Sequence, residues 1–293
     1  MSKTITSRLA ALKKFYITND IDLKWKKIMM YVGNKKRNRK DRPYTYYKIS
    51  KMLEKADQRT RVVILLMCSS GIRVGGLPTL KIRNIEKIDK YNLYKLTVYE
   101  GEDEEYITFC TPECSAAIDS YLEYRQRYGE RPLKDDSPLV REIFDINDEL
   151  AAINPKPLTD ELFKYLIWRT ARDAGILQRV EYTRTLRHPV KSTHGFRKFF
   201  QTTAIHAGMS PLYAEMLMGH KSGGLALESY VRPTETDLLE GNDKMVGYVG
   251  VIDALTMNEE HRLKQKVKEL TIRADKVDEL QADFAALKQR LGM

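Results

Sequence analysis

Between Gln58 and Gly71 the chain reads QRTRVVILLMCSSG, and Val62–Cys68 is apolar without a break. A helix apolar on every side offers no face to water, so it has to lie inside a core. It falls far short of the roughly 20 apolar residues that span a bilayer, and no other segment approaches that length. Gly71 is the natural stop, because glycine enters the left-handed conformation without steric cost. Arg73 is therefore expected at the rim of the core, just past the buried helix.

Other elements are arranged around this one. TYYKISKMLEKAD precedes it with apolar positions at helical spacing. YKLTVYE and EEYITFC alternate with a period of two and are joined by a polar turn at Gly101 and Glu102, which predicts a β-hairpin. Thr111 and Pro112 supply an N-cap and a first-turn proline for ECSAAIDSYLEYRQRYG, and a further helix runs through LTDELFKYLIWRTARDAG. From Thr193, HGFRKFFQTTAIHAG reads as a helix ended by Gly208, and Ser210 with Pro211 caps LYAEMLMG. The fold class is α+β, mainly α, with a small antiparallel sheet. From about Asn258, Leu263, Val267, Leu270, Ala274 and Val277 step by four and three, and Leu280, Phe284, Leu287 and Leu291 resume after one extra step of three. That is a coiled-coil seam with a stammer, the alternative being an amphipathic tail that packs on its own domain.

The amphipathic IDLKWKKIMMYV leads into NKKRNRKDRP, a basic linker that ends at Pro43. Three segments are expected: a basic arm over residues 1–43, a main domain over 44–256 and a coiled tail over 257–293. The arm holds thirteen basic residues against Asp20, Asp22 and Asp41, which accounts for the entire net charge of +10. Lys35, Lys36, Arg37, Arg39, Lys40 and Arg42 form its densest run and point to a polyanion such as a nucleic-acid backbone. Read alone, such an arm is equally a solvated tail. Three cysteines make an odd set without a disulfide framework, which fits a cytoplasmic setting. The N-terminus carries no signal-like apolar run. Cys110 and Cys114 have no second pair nearby, so neither a metal nor a cofactor is expected.

Five polar residues interrupt otherwise apolar surroundings: Arg73 in SGIRVGG, His194 and Arg197 in THGFRKFF, His220 in LMGHKS and Tyr230 in ESYVRP. His194 and Arg197 stand three apart on a helix and can converge on one anion. Singly, each has an ordinary reading: a surface ion pair for Arg73, a helix cap or a half-buried ring for the histidines, one tyrosine of seventeen for Tyr230. In their joint order and spacing they resemble the boxes of the tyrosine recombinase, or phage integrase, family. The resemblance runs from about Arg42 to Tyr248 and includes Ser70-Gly71 before the first arginine, Leu217-Met218-Gly219 before the second histidine, and tyrosine ten positions later. TFCTPE at Thr108–Glu113 and the coiled tail are particularly similar to archaeal integrases, including those of viruses.

The resemblance implies a site-specific recombinase acting on double-stranded attachment sites, assembled as a homo-oligomer with four protomers on DNA. Its chemistry suits these side chains. Two guanidinium forks can neutralise the non-bridging phosphate oxygens that a metal would otherwise hold. Tyr230 would be the nucleophile, and a 3′-phosphotyrosyl bond keeps the energy needed for rejoining. By the same resemblance, His194 takes the tyrosine proton and His220 donates to the phosphate.

Two departures stand out. Family members carry a lysine in the hairpin turn as general acid, whereas this turn reads EGEDEE, leaving Lys95 on the first strand as the nearest substitute. Only a short arm stands where the family has a larger helical core-binding domain, and Asp22–Val32 resembles that domain's last helix, as expected of a shortened product or of a compact recombinase whose basic arm replaces the clamp. A type IB topoisomerase, or a DNA-binding protein derived from an integrase, are the competing expectations.

Overall fold

The computed structural model describes residues 3–31, 42–177, 193–220, 233–242 and 244–258. It divides between Asp41 and Arg42 into two compact units. In the first, α1 (Lys3–Thr18) and α2 (Trp25–Met30) are joined by a turn in which Asp20 takes a positive φ of 54°. The helix expected over IDLKWKKIMMYV is thus confined to six residues, and the longer helix is α1, which the sequence reading did not assign. The coiled-coil residues beyond Asn258 lie outside the described residues, as do Lys35, Lys36, Arg37, Arg39 and Lys40.

The second unit is built on the predicted apolar helix. After α3 (Tyr46–Lys55), Asp57 accepts a hydrogen bond from the Thr60 amide at 2.6 Å and starts α4 (Gln58–Ser70). Every residue from Val62 to Cys68 is at most 2% exposed. Gly71 then turns with φ 63°, and a Cβ there would sit 2.5 Å from the Phe200 ring, so conformation and space both require glycine.

A three-stranded antiparallel sheet follows: β1 (Ile85–Ile88), β2 (Leu93–Val98) and β3 (Tyr106–Phe109), in that order. The hairpin is the expected one. Strand β1 was not anticipated, because IEKI places two charges in four residues and gives little alternating signal. Thr111 caps α5 (Pro112–Arg127) through the Cys114 amide, and Thr159 caps α7 (Asp160–Asp173) through that of Leu162. Between them lies α6 (Glu149–Ile153). In this connection the fully buried Arg125 and Arg141 share the Glu130 carboxylate, and Arg125 also donates to the Pro138 and Leu139 carbonyls, both at 2.9 Å. The buried Glu130 is thereby paired with two cations, and Arg141 also donates to the Ala152 carbonyl at 2.7 Å, which ties the end of α5 to α6.

Helix α8 (His194–His206) packs on α4 and ends at Gly208, φ 102°. Pro211 opens α9 (Pro211–Leu217), but Ser210 makes no side-chain capping bond, a correction to its expected role. Beyond residue 232 come α10 (Glu235–Glu240), the short pair β4 (Gly241–Asn242) and β5 (Met245–Val246), and α11 (Ile252–Leu255). Tyr248 then anchors this end, donating to the Ser69 carbonyl at 2.8 Å.

Candidate phosphate-binding site

Arg197 organises the site. It projects from the first turn of α8 and is 6% exposed. Its Nη1 donates to the Gly71 carbonyl at 2.6 Å and its Nη2 to the Met218 carbonyl at 2.5 Å. One guanidinium thereby joins the turn leading to Arg73 and the turn leading to His220. A guanidinium has five N–H donors, so this leaves N–H groups for a phosphate. Burial pushes Arg197 down from its ordinary value, Arg73 nearby adds to that, and Tyr106 and Glu215 oppose it. A guanidinium still stays charged under such conditions.

Arg73 caps a short 3-10 turn, Val74–Gly76, and has a 40% exposed side chain. Its Nη1 lies 3.5 Å from Oε2 of Glu104, in the acidic hairpin turn. His194 opens α8 one turn before Arg197 and is exposed. His220 follows Gly219, whose φ of 63° and close approach to the Tyr106 ring leave no room for a Cβ. Tyr106, on β3, is pushed up to about 12 by burial, with Arg197 opposing. It therefore stays a neutral phenol beside the Arg197 guanidinium.

The Arg197 guanidinium thus ties together the turns that lead to Arg73 and to His220, with His194 on the same helix face as Arg197. Tyr230 lies outside the described residues. Lys95 is placed differently. It sits opposite Glu86 and Phe109 in the sheet, three residues back from Val98, about 10 Å along the strand. Its ammonium pairs with Glu86 at 2.5 Å and Glu235 at 3.1 Å, and the Glu86 hydrogen bond leads in raising its pKa. Arg42 is exposed at the start of the second unit. Among the described residues no group of three or more His, Cys, Asp or Glu could hold a metal. No described helix is long and apolar enough to cross a membrane.

A sequence model described as "Phage integrase family" matches residues 41–236. The chain belongs to the phage integrase family. Its class is therefore that of the site-specific recombinases, with the mainly helical α+β fold described above. Against curated protein sequences the chain has no match. Among solved structures it is similar to the integrase from mycobacterium phage Brujita, with TM-score 0.50 and 18% identity over 80% of this chain and 66% of that one. It is equally similar in fold to a lambda integrase fragment, residues 75-356, in a dimer bound to a COC′ core site: TM-score 0.50, 16% identity, covering 80% of this chain and 75% of that one. XerA recombinase aligns with TM-score 0.47 and 19% identity over 81% of this chain and 74% of that one.

Some groups of this integrase's site escaped the sequence reading. Tyr106 carried no signal beyond strand alternation. Glu104 was counted only as part of an acidic turn. Glu215, five positions before His220, sits in a helix with no motif to mark it.

Proposed function

We propose that this integrase cuts and rejoins double-stranded DNA at specific attachment sites through Tyr230. The observation that carries the reading is the Arg197 side chain, which ties the Arg73 turn to the His220 turn, so that one phosphate can meet all three groups. The Tyr230 oxygen attacks phosphorus, forming a 3′-phosphotyrosyl bond as the bond to the 5′ oxygen breaks. His194 takes the phenolic proton, and Arg73 and Arg197 neutralise the charge that develops on the non-bridging oxygens. The leaving 5′ oxygen needs a proton, and Lys95 would have to leave Glu86 and Glu235 to supply it. Attack by a 5′ hydroxyl reverses the step and reseals the strand without ATP.

The basic run Lys35, Lys36, Arg37, Arg39, Lys40 and Arg42 supplies sequence-independent backbone contacts. The lambda integrase fragment of similar fold is bound to its core site as a dimer. Four protomers on two duplexes, in the cell interior, is the assembly we propose for this chain, with the coiled tail over 257–293 favouring association.

The test is a nicked suicide duplex carrying candidate attachment DNA. A denaturant-resistant complex with the wild-type chain, absent in Tyr230→Phe, is expected. A complex that persists in Tyr230→Phe would remove the nucleophile assignment. Resealing within one duplex, with no exchange between two, would replace recombinase by topoisomerase. DNA binding without any covalent complex would leave a binding protein.

A further inference from the structure

Behind His220 stands a carboxylate that the family resemblance did not single out. Glu215, on α9, meets His220 Nδ1 through Oε2, and the His220 amide donates to the Glu215 carbonyl at 3.0 Å. The second carboxylate oxygen accepts from Gln201 Nε2, on α8, at 2.5 Å. Glu215 is thus held from one helix while it holds the ring from another. A carboxylate can only accept, so the ring proton must sit on Nδ1, and Nε2 is the nitrogen left for a ligand.

We propose that Glu215 is a positioning residue for phosphate chemistry: it fixes the Nδ1–H form of His220 and makes phosphate binding through Nε2 depend on a second ring proton. This rests on the recombinase reading. The non-bridging oxygens of a phosphodiester also accept only, so a ring bonded to Glu215 can donate to phosphate only as an imidazolium lying between two anions. The neutral Nδ1–H ring would instead turn a lone pair toward the phosphate. A ring without Glu215 escapes that condition, because its neutral form can carry the proton on Nε2. Arg197 and Gln201 face this pair from α8, Tyr106 lies against Gly219 from β3, and Arg73 lies beyond Arg197. The guanidinium groups stay charged and Tyr106 stays a phenol at physiological pH.

Two measurements test this. In the full chain labelled with nitrogen-15 histidine, two-bond proton–nitrogen spectra report each ring's tautomer, with His220→Asn assigning the signal. The neutral ring should carry its proton on Nδ1 in the wild type and in Glu215→Gln, where the amide oxygen still accepts, and on Nε2 in Glu215→Ala. An Nε2–H ring in the wild type, or no change in Glu215→Ala, would overturn the proposal. Covalent trapping, followed against pH, should lose its alkaline limb in Glu215→Ala at unchanged duplex affinity, because the neutral ring can then present an Nε2–H to the phosphate. In Glu215→Gln, whose amide oxygen keeps the proton on Nδ1, the alkaline limb should remain. A uniform loss with an unmoved profile would reduce Glu215 to a structural role. If the wild type traps no DNA, the recombinase reading fails, and the tautomer result is judged separately by the spectra.

Discussion

Arg197 and Arg73 carry the same guanidinium and serve the same proposed phosphate, but their surroundings differ. Arg197 is 6% exposed and donates to two main-chain carbonyls, whereas the Arg73 side chain is 40% exposed and its carboxylate partner lies 3.5 Å away. The carbonyls under Arg197 cannot move away or be replaced by substrate. The Glu104 carboxylate beside Arg73 can be displaced by a phosphate, since an exposed pair at that distance is worth about 0–1 kcal/mol. One arginine therefore belongs to the fold as well as to the proposed chemistry, and the other to the proposed chemistry alone.

Replacing Arg197 tests the contrast most severely. Arg197→Ala leaves the Gly71 and Met218 carbonyls without their donor, and stability should fall by roughly 3 kcal/mol, at about 1–3 kcal/mol for each buried group left unpaired. Covalent trapping should vanish with it. Arg197→Lys should not restore either, because one ammonium cannot reproduce the fork. A denaturant midpoint equal to that of the wild type would show that the two turns hold themselves.

Arg73→Ala should separate the two properties. Stability should change by no more than about 0.5 kcal/mol, as for surface positions, while trapping falls on the order of 10²- to 10³-fold, as when one transition-state donor is lost. A loss of stability matching that of Arg197→Ala would abolish the distinction. The smallest effect is expected at the hairpin. Glu104→Gln should speed trapping or tighten DNA binding by about 2- to 5-fold at low salt, and the gain should disappear as salt screens the turn. No gain at low ionic strength would mean that the acidic turn does not compete for Arg73.

The same contrast explains what was legible in the sequence. Helix α4, the Gly71 stop, the hairpin and the Thr111 cap depend on neighbours within a few residues, and local spacing reveals them. Arg197 could be named from its motif, but its joining of two turns could not, because the Gly71 carbonyl lies 126 positions away in sequence. Strand β1 is paired through its partner rather than through its own pattern. Glu215 was hidden for a related reason: its local spacing to His220 was visible, but a glutamate in a helix is ordinary until the ring and Gln201 are seen against it. Lys95 shows the limit from the other side, since proximity in sequence to the turn did not reveal the carboxylates of Glu86 and Glu235 around its ammonium.

The most direct measurement is the identity of the residue joined to DNA. The chain has seventeen tyrosines, so the trapped complex should be digested and the nucleotide-bearing peptide located by mass spectrometry. A single adduct on Tyr230 is the predicted result. An adduct on any other tyrosine, or none while the duplex stays bound, would contradict the assignment of Tyr230 as the nucleophile served by Arg73, Arg197 and His220.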